Sequence, residues 1–190
     1  MSENTGLFYE LTDETIEVRG HILYRIRALK DINRTVRAGD LGGFVESTEN
    51  LDASHGAWVF DDACVFGDAC VYDSAWVYNR ARVFERACVY DSARVSDQAW
   101  VYGDANVFGE ACVYDIARIG SHARVYGDAR VSDHAWVSDH AWVSGKAKVG
   151  GDAHVEGHAE VCGSATILGT DHIGGTTRID GDVEVCEGES

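Results

Sequence analysis

Histidine recurs every eighteen residues at His122, His140 and His158, and Asp104 stands eighteen residues before the first. Imidazole is a common metal ligand, and rings brought to ~5 Å from one another could share an ion. Asp97, Asp115 and Asp133 keep the same interval. Carboxylates stacked at that spacing repel, so they invite a cation or a basic partner, or simply keep a surface in water. His154 and His172 are a third set at this interval. Nothing near them in sequence assembles a base, its orienting carboxylate and an oxyanion donor. Aromatic and arginine side chains obey the same rule. Trp58 and Trp76 form one series, and Arg82, Trp100, Arg118 and Trp136 a second. Phe66, Phe84 and Tyr102 form a third, and Tyr72, Tyr90, Phe108 and Tyr126 a fourth. Trp, Tyr and Arg are the residues enriched at interface hot spots, and alternating guanidinium and indole suits cation–π stacking.

The interval of eighteen is three sixes. From Ala57 to Ala165 an alanine returns every sixth residue without a slip, and a valine or isoleucine follows each one two residues later, from Val59 to Ile167. The unit is Ala-x-(Val/Ile)-y-(Gly/Asp/Asn)-z. Residues two apart share one face of a strand, so alanine and valine point inward while x and y point out. Gly67, Asp73, Asn79, Gly103, Gly109 and Gly127 occupy the fifth position, where residues that tolerate positive φ end each hexad in a tight corner. One such short strand cannot bury its apolar side alone, but stacked coils can. A sandwich would need hairpins with varied loops, and here every spacer is identical.

Val59 with Ala63, Val65 with Ala69 and Val101 with Ala105 each place a small residue four positions after a β-branched one. The pattern resembles the hexapeptide repeat of left-handed parallel β-helix proteins and covers about three quarters of the chain. The resemblance implies an all-β fold: a single-stranded parallel left-handed β-helix of about eight triangular coils, three hexapeptides to a coil. It also implies handedness, which the periodicity does not give. The segments Leu23-Tyr24-Arg25-Ile26-Arg27-Ala28-Leu29 and Gly39-Asp40-Leu41-Gly42-Gly43-Phe44-Val45-Glu46-Ser47 resemble the leader of uncharacterised bacterial and phage proteins described as acyltransferase-like or polymer-forming. Acyltransferases resembling this fold carry a catalytic histidine beside a loop that interrupts the coils. No such loop interrupts residues 57–167.

The N-terminal part has another pattern. Residues 7–11 and 15–18 read as short strands, and His21–Leu29 alternates apolar and polar residues. Arg19-Gly20 between them supplies a hairpin turn. The Gly39–Ser47 stretch has glycines in number but no following Lys-Ser or Lys-Thr and no helix pattern, so it reads as a bend and not a phosphate cradle. Extending the six-residue phase backward puts Val45 and Leu51 with the alanines, and Ser47 and Ala53 with the valines. The first coil is therefore expected near Phe44, with residues 1–43 a capping module carrying a β-hairpin and residues 44–190 the solenoid. Met1–Gly6 is polar and expected to fray. At the other end Thr177 and Val183 replace alanine, and Ile167, Ile173 and Ile179 are expected to fill the last coil.

The chain has 190 residues, a net charge of −16 and no proline. Most of the negative charge lies beyond residue 50. That disfavours direct nucleic-acid binding and favours solubility or a basic partner. No apolar run has transmembrane length, and residues 1–10 do not read as a signal peptide. Cys64, Cys70, Cys88 and Cys112 sit at x, and Cys162 and Cys186 at y. They are expected to be reduced thiols in a cytoplasmic protein. Cys70 and Cys88 are eighteen apart, so a bridge between them is geometrically possible and would be adventitious.

These observations favour a non-catalytic interaction or assembly solenoid. Its surface would be the outward columns of Trp58, Trp76, Arg82, Trp100, Arg118, Trp136, Phe84, Tyr102, Tyr72, Tyr90, Phe108 and Tyr126. The alternatives are an acyl-CoA-dependent enzyme and an acidic decoy imitating nucleic acid. No cofactor, membrane or nucleic acid is expected. The expected partner is another protein or a second copy, as a face-packed trimer anchored by Trp100 and Trp136 around Arg118, or as a dimer joined through residues 183–185.

Overall fold

The computed structural model describes residues 7–185. Met1–Gly6, Cys186 and the rest of the C-terminal tail lie outside that range. From residue 58 onward the chain is a succession of two-residue strands, each made of x and the valine or isoleucine that follows. Each pairs in parallel with the strand eighteen residues away, as in Trp58↔Trp76 and Val59↔Val77. The three strands of a coil belong to three sheets. The first face carries the column Trp58, Trp76, Arg94, Cys112, Arg130 and Lys148. The second carries Cys64, Arg82, Trp100, Arg118, Trp136, His154 and His172. The third carries Cys70, Cys88, Asn106, Arg124, Trp142, Glu160 and Arg178. The chain is thus a parallel β-solenoid of about eight coils.

Strand parity is as the hexad predicts. Every alanine from Ala57 to Ala165 and every valine or isoleucine from Val59 to Ile167 is at most 1% exposed. Alanine is required on this phase because three strands converge on a narrow prism, and larger side chains would overfill it. The corners adopt the left-handed conformation, at φ 53–72° in Asp61, Asp73, Asn79, Asp97, Gly103, Gly109 and Gly127. Glu85 (φ 61°) and Ser121 (φ 54°) do so as well, although neither is a usual αL residue. Their neighbours in the ladder hold them there.

The rungs follow a regular rule. The amides of x, y and z donate to the coil above: Trp76 N to Ala93 O at 3.0 Å, Tyr78 N to Val95 O at 3.0 Å and Arg80 N to Asp97 O at 2.8 Å. The corner amide is not among these rungs, and at several corners an acidic side chain one coil below accepts from it instead. Asp61 Oδ2 accepts from Asn79 N at 3.1 Å, Glu85 Oε2 from Gly103 N at 2.8 Å and Asp91 Oδ2 from Gly109 N at 3.0 Å. These corner carboxylates are therefore structural.

The N-terminal segment is a hairpin of β1 (Tyr9–Val18) and β2 (His21–Ala28), joined by Arg19 (φ 52°) and Gly20 (φ 87°). The two short strands expected around residues 7–18 are one strand with a register shift between Leu11 and Thr15. β2 pairs antiparallel with β3 (Leu41–Val45), and β3 pairs in parallel with β4, the rung Cys64–Val65. The cap therefore continues the second face as one sheet, and the expected boundary at residue 43/44 falls inside β3. The paired glycines make this possible. A Cβ at Gly42 would come within 2.6 Å of Ile26 and Val59 and 2.8 Å of Trp58, and one at Gly43 within 2.6 Å of Ala63 O. Only a bare backbone passes there, which is the bend reading.

The backward extension of the phase needs correction. Val45 pairs with Val65 and Leu51 bridges to Val71, both twenty residues apart. Val45 and Leu51 thus stand on the valine phase. The two extra residues lie between Leu51 and Val59, where the 3-10 turn Ala53–His55 and the αL residue Gly56 (φ 104°) swell the first corner. Asn50, 1% exposed, closes the top of this coil. Its Nδ2 donates to Gly67 O at 2.9 Å and Ala69 O at 2.8 Å, and its Oδ1 accepts from Ser47 N at 2.8 Å. At the far end Ile173 is 9% exposed, Ile179 and Val185 pack against the core, and Val183 is 44% exposed.

Candidate interaction surface

The strongest departure from the sequence reading concerns the aromatic columns. Trp58 points outward on the strand, yet it is 0% exposed. Tyr9 of β1 meets it edge-on at 6.0 Å, and β3 crosses close by. The Tyr9 hydroxyl donates to Leu51 O at 2.9 Å and Thr48 O at 3.1 Å, and burial holds it protonated far above the ordinary phenol range. Phe66 and Phe84 are buried in a cluster with Leu23, Phe44 and Cys64. Arg19, at the hairpin tip, lays its guanidinium 4.7 Å from the Phe84 ring and 5.0 Å from Trp100. The chain thus covers its own column Phe66–Phe84–Tyr102. Trp58 and Phe84 belong to the core, and Trp100 is hemmed by Arg19, Arg82 (5.7 Å) and Arg118 (5.3 Å). The sequence predicted the last two contacts. It did not show Arg19, because a hairpin docks on a face that no local pattern names.

The third-face column is uncovered by the cap. Tyr72, Tyr90, Phe108 and Tyr126 stack with centroids 4.9 Å apart and planes within 5° of parallel. The inner rings Tyr90 and Phe108 have both faces taken by their neighbours, so they offer only edges. On the first face Trp76 contacts Phe60 at 5.4 Å and Arg94 at 5.6 Å.

The most exposed indoles stand higher up the solenoid. Trp136 on the second face and Trp142 on the third are each 38% exposed. The corner Asp139-His140 separates them. Arg124 lies 5.3 Å from the Trp142 ring, and His154 meets Trp136 at 5.5 Å. Beside this corner the expected histidine column is present. His122, His140 and His158 stack at 4.8 and 4.9 Å, nearly parallel. His122 Nδ1 lies 3.4 Å from Asp104 Oδ2. Rings stacked face to face hold their nitrogens in parallel planes and do not converge on one ion. Among the described residues no group of three or more His, Cys, Asp or Glu is arranged to hold a metal. With Arg124, Trp142 and Glu160 the three rings line an open groove of about 410 Å³.

The acidic column follows the corner rule. Asp97 Oδ2 accepts from Asp115 N at 3.4 Å, Asp115 Oδ2 from Asp133 N at 3.2 Å and Asp133 Oδ2 from Gly151 N at 2.9 Å. One oxygen of each is engaged with the protein's own backbone, which relieves the expected repulsion. His154 and His172 meet edge-on at 6.2 Å, and His172 Nε2 lies 2.8 Å from Glu156. A feature the sequence reading did not single out is a groove of about 640 Å³ between the third-face corner and the first face. Arg94, Arg130, Lys146 and Lys148 line it beside Glu110 and Asp128. Its signal was present in the first-face column, where bases cluster.

No helix among the described residues is long and apolar enough to cross a membrane. A search of curated proteins finds no match. Residues 123–139, a stretch of the solenoid that includes Trp136, are similar to the YdcK β-solenoid repeat family.

Proposed function

We propose that this chain is a non-catalytic interaction solenoid, and that its docking surface is the corner carrying Trp136 and Trp142, where a second copy packs. The exposure of two indoles on either side of one corner carries this reading. Tryptophan beside arginine is the composition of interface hot spots. The unbroken coil path from 57 to 167 favours a passive surface, since it supplies no inserted loop to wall off a substrate.

The third-face column suggests why the occupant is a second copy. It reads Arg124, Trp142, Glu160 in successive coils. A two-fold axis through Trp142 would set Arg124 against Glu160 of the partner subunit and stack the two indoles, which is a self-complementary arrangement. Light scattering at micromolar concentration should find a dimer. Trp136→Ala with Trp142→Ala should make it monomeric while the far-UV circular dichroism of the solenoid is retained. Arg124→Glu should weaken it, and adding Glu160→Arg should restore it. A monomeric wild type, or a dimer that none of these changes moves, would overturn the assignment.

A further inference from the structure

Cys70 and Cys88 occupy the same position in consecutive coils of the third face, in register as Cys70↔Cys88. Their sulfurs are 3.0 Å apart, and both side chains are partly exposed. The other thiols differ in setting. Cys64 is buried in the cluster under the hairpin. Cys112 stands between Arg94 and Arg130 in its column. Cys162 faces Asp180 and Arg178.

We infer that Cys70 and Cys88 form a dithiol modification site, which a low-molecular-weight disulfide oxidises to an intramolecular bridge that staples the outermost strand of the third sheet. That strand, β5 (Cys70–Val71), is the terminal one of its seven-stranded sheet. On its outer side it meets the bridge from Leu51 and the Asp52 N to Val71 O bond at 2.9 Å, with Asn50 Nδ2 donating to Ala69 O just before it at 2.8 Å, and no further strand among the described residues. The first and second faces are roofed at this end by the cap, so the third face is the one held least. A covalent link there fastens a weak edge to the coil behind it.

The exchange is balanced as follows. The two sulfurs share a hydrogen bond in which either can donate; with Cys70 as the donor, the Cys88 thiolate is favoured and Cys70 stays protonated. The Cys88 thiolate attacks one sulfur of the external disulfide. A Cys88 mixed disulfide forms, and one thiolate departs and takes a proton from solvent. Cys70 then loses its proton to solvent and attacks Cys88 Sγ. The Cys70–Cys88 bond forms and the second small thiol leaves. Two protein thiols are oxidised and one external disulfide is reduced to two thiols.

The test is to equilibrate the full chain with glutathione disulfide and glutathione at graded ratios, quench in acid, alkylate and map the peptides. The expected result is one intramolecular Cys70–Cys88 link, with Cys112 and Cys162 still open to alkylation and a raised guanidinium midpoint that dithiothreitol reverses. Cys70→Ser and Cys88→Ser should each stop at a glutathione adduct on the remaining thiol of the pair and form no intramolecular bridge. A Cys88 adduct that persists in the wild type, a bridge between other cysteines, or a bridge only between chains would overturn the proposal. The wild-type map decides the matter even if a variant folds poorly.

Discussion

Phe84 and Phe108 are a matched pair whose comparison isolates the contribution of the hairpin roof. Each is a phenylalanine at position y in the middle of an aromatic stack. Phe84 lies 5.2 Å from Phe66 and 5.4 Å from Tyr102, and Phe108 lies 4.9 Å from Tyr90 and from Tyr126. Truncation to alanine removes two stacked ring contacts in both cases, and at Phe84 also an edge-on contact with Trp100 at 6.1 Å, a loss of ~0.5–1.5 kcal/mol for each contact. Beyond that they differ. Phe84 is 3% exposed beneath Leu23 and Arg19, whereas Phe108 has no roof and is half-buried. Phe84→Ala should therefore cost the full ~3–5 kcal/mol of a buried ring. Phe108→Ala forfeits about half the transfer term and opens no enclosed cavity, so ~1.5–2.5 kcal/mol is expected. Guanidinium unfolding followed by circular dichroism measures both. Because solenoid coils are coupled mainly to their neighbours, hydrogen exchange should accompany it. Amides of β1 and β2 should exchange faster in Phe84→Ala and at the wild-type rate in Phe108→Ala. Equal losses of stability, or a hairpin indifferent to Phe84, would refute the roof as an energetic element.

Two further outcomes follow from the same packing. Ala105→Leu should destabilise by ~1–3 kcal/mol or more, because its 0%-exposed site faces three converging strands, while Asn106→Leu one residue on should be mild; equal shifts in melting would refute the strand parity. His21 Nδ1 lies 2.9 Å from Glu46 Oε1, and Gly67 N donates to Glu46 Oε2 at 2.7 Å, which together hold the Glu46 carboxyl below its usual range. A depressed folded value contributes stability above the ordinary glutamate range, lost as the pH falls through the folded value. Melting temperature should therefore fall on acidification below about pH 4.5 less steeply in Glu46→Gln than in the wild type, and parallel profiles would remove Glu46 from the acid response.

Period, parity, corner chemistry and the stacking of columns eighteen apart were all legible in the sequence. The reason is that a solenoid is nearly one-dimensional. Each residue meets the one a coil away, so spacing along the chain is spacing in space. Hence the contacts of Arg82 and Arg118 with Trp100, and the His122–His140–His158 stack, could be read from Ala57 onward without knowing the fold in detail. The tertiary structure alone decided what lies on top of those columns. Trp58 and Phe84 have the same hexad position as residues left in the open, yet β1, β2 and Arg19 cover them, because the hairpin returns across a face no periodicity marks. It also decided the two-residue swelling at Ala53–His55, where the repeat has not begun and the phase has nothing to count from. Finally, it decided the work of the corner carboxylates. Their spacing predicted repulsion, but only the left-handed corner shows an amide left out of the ladder, which the acid one coil below takes up.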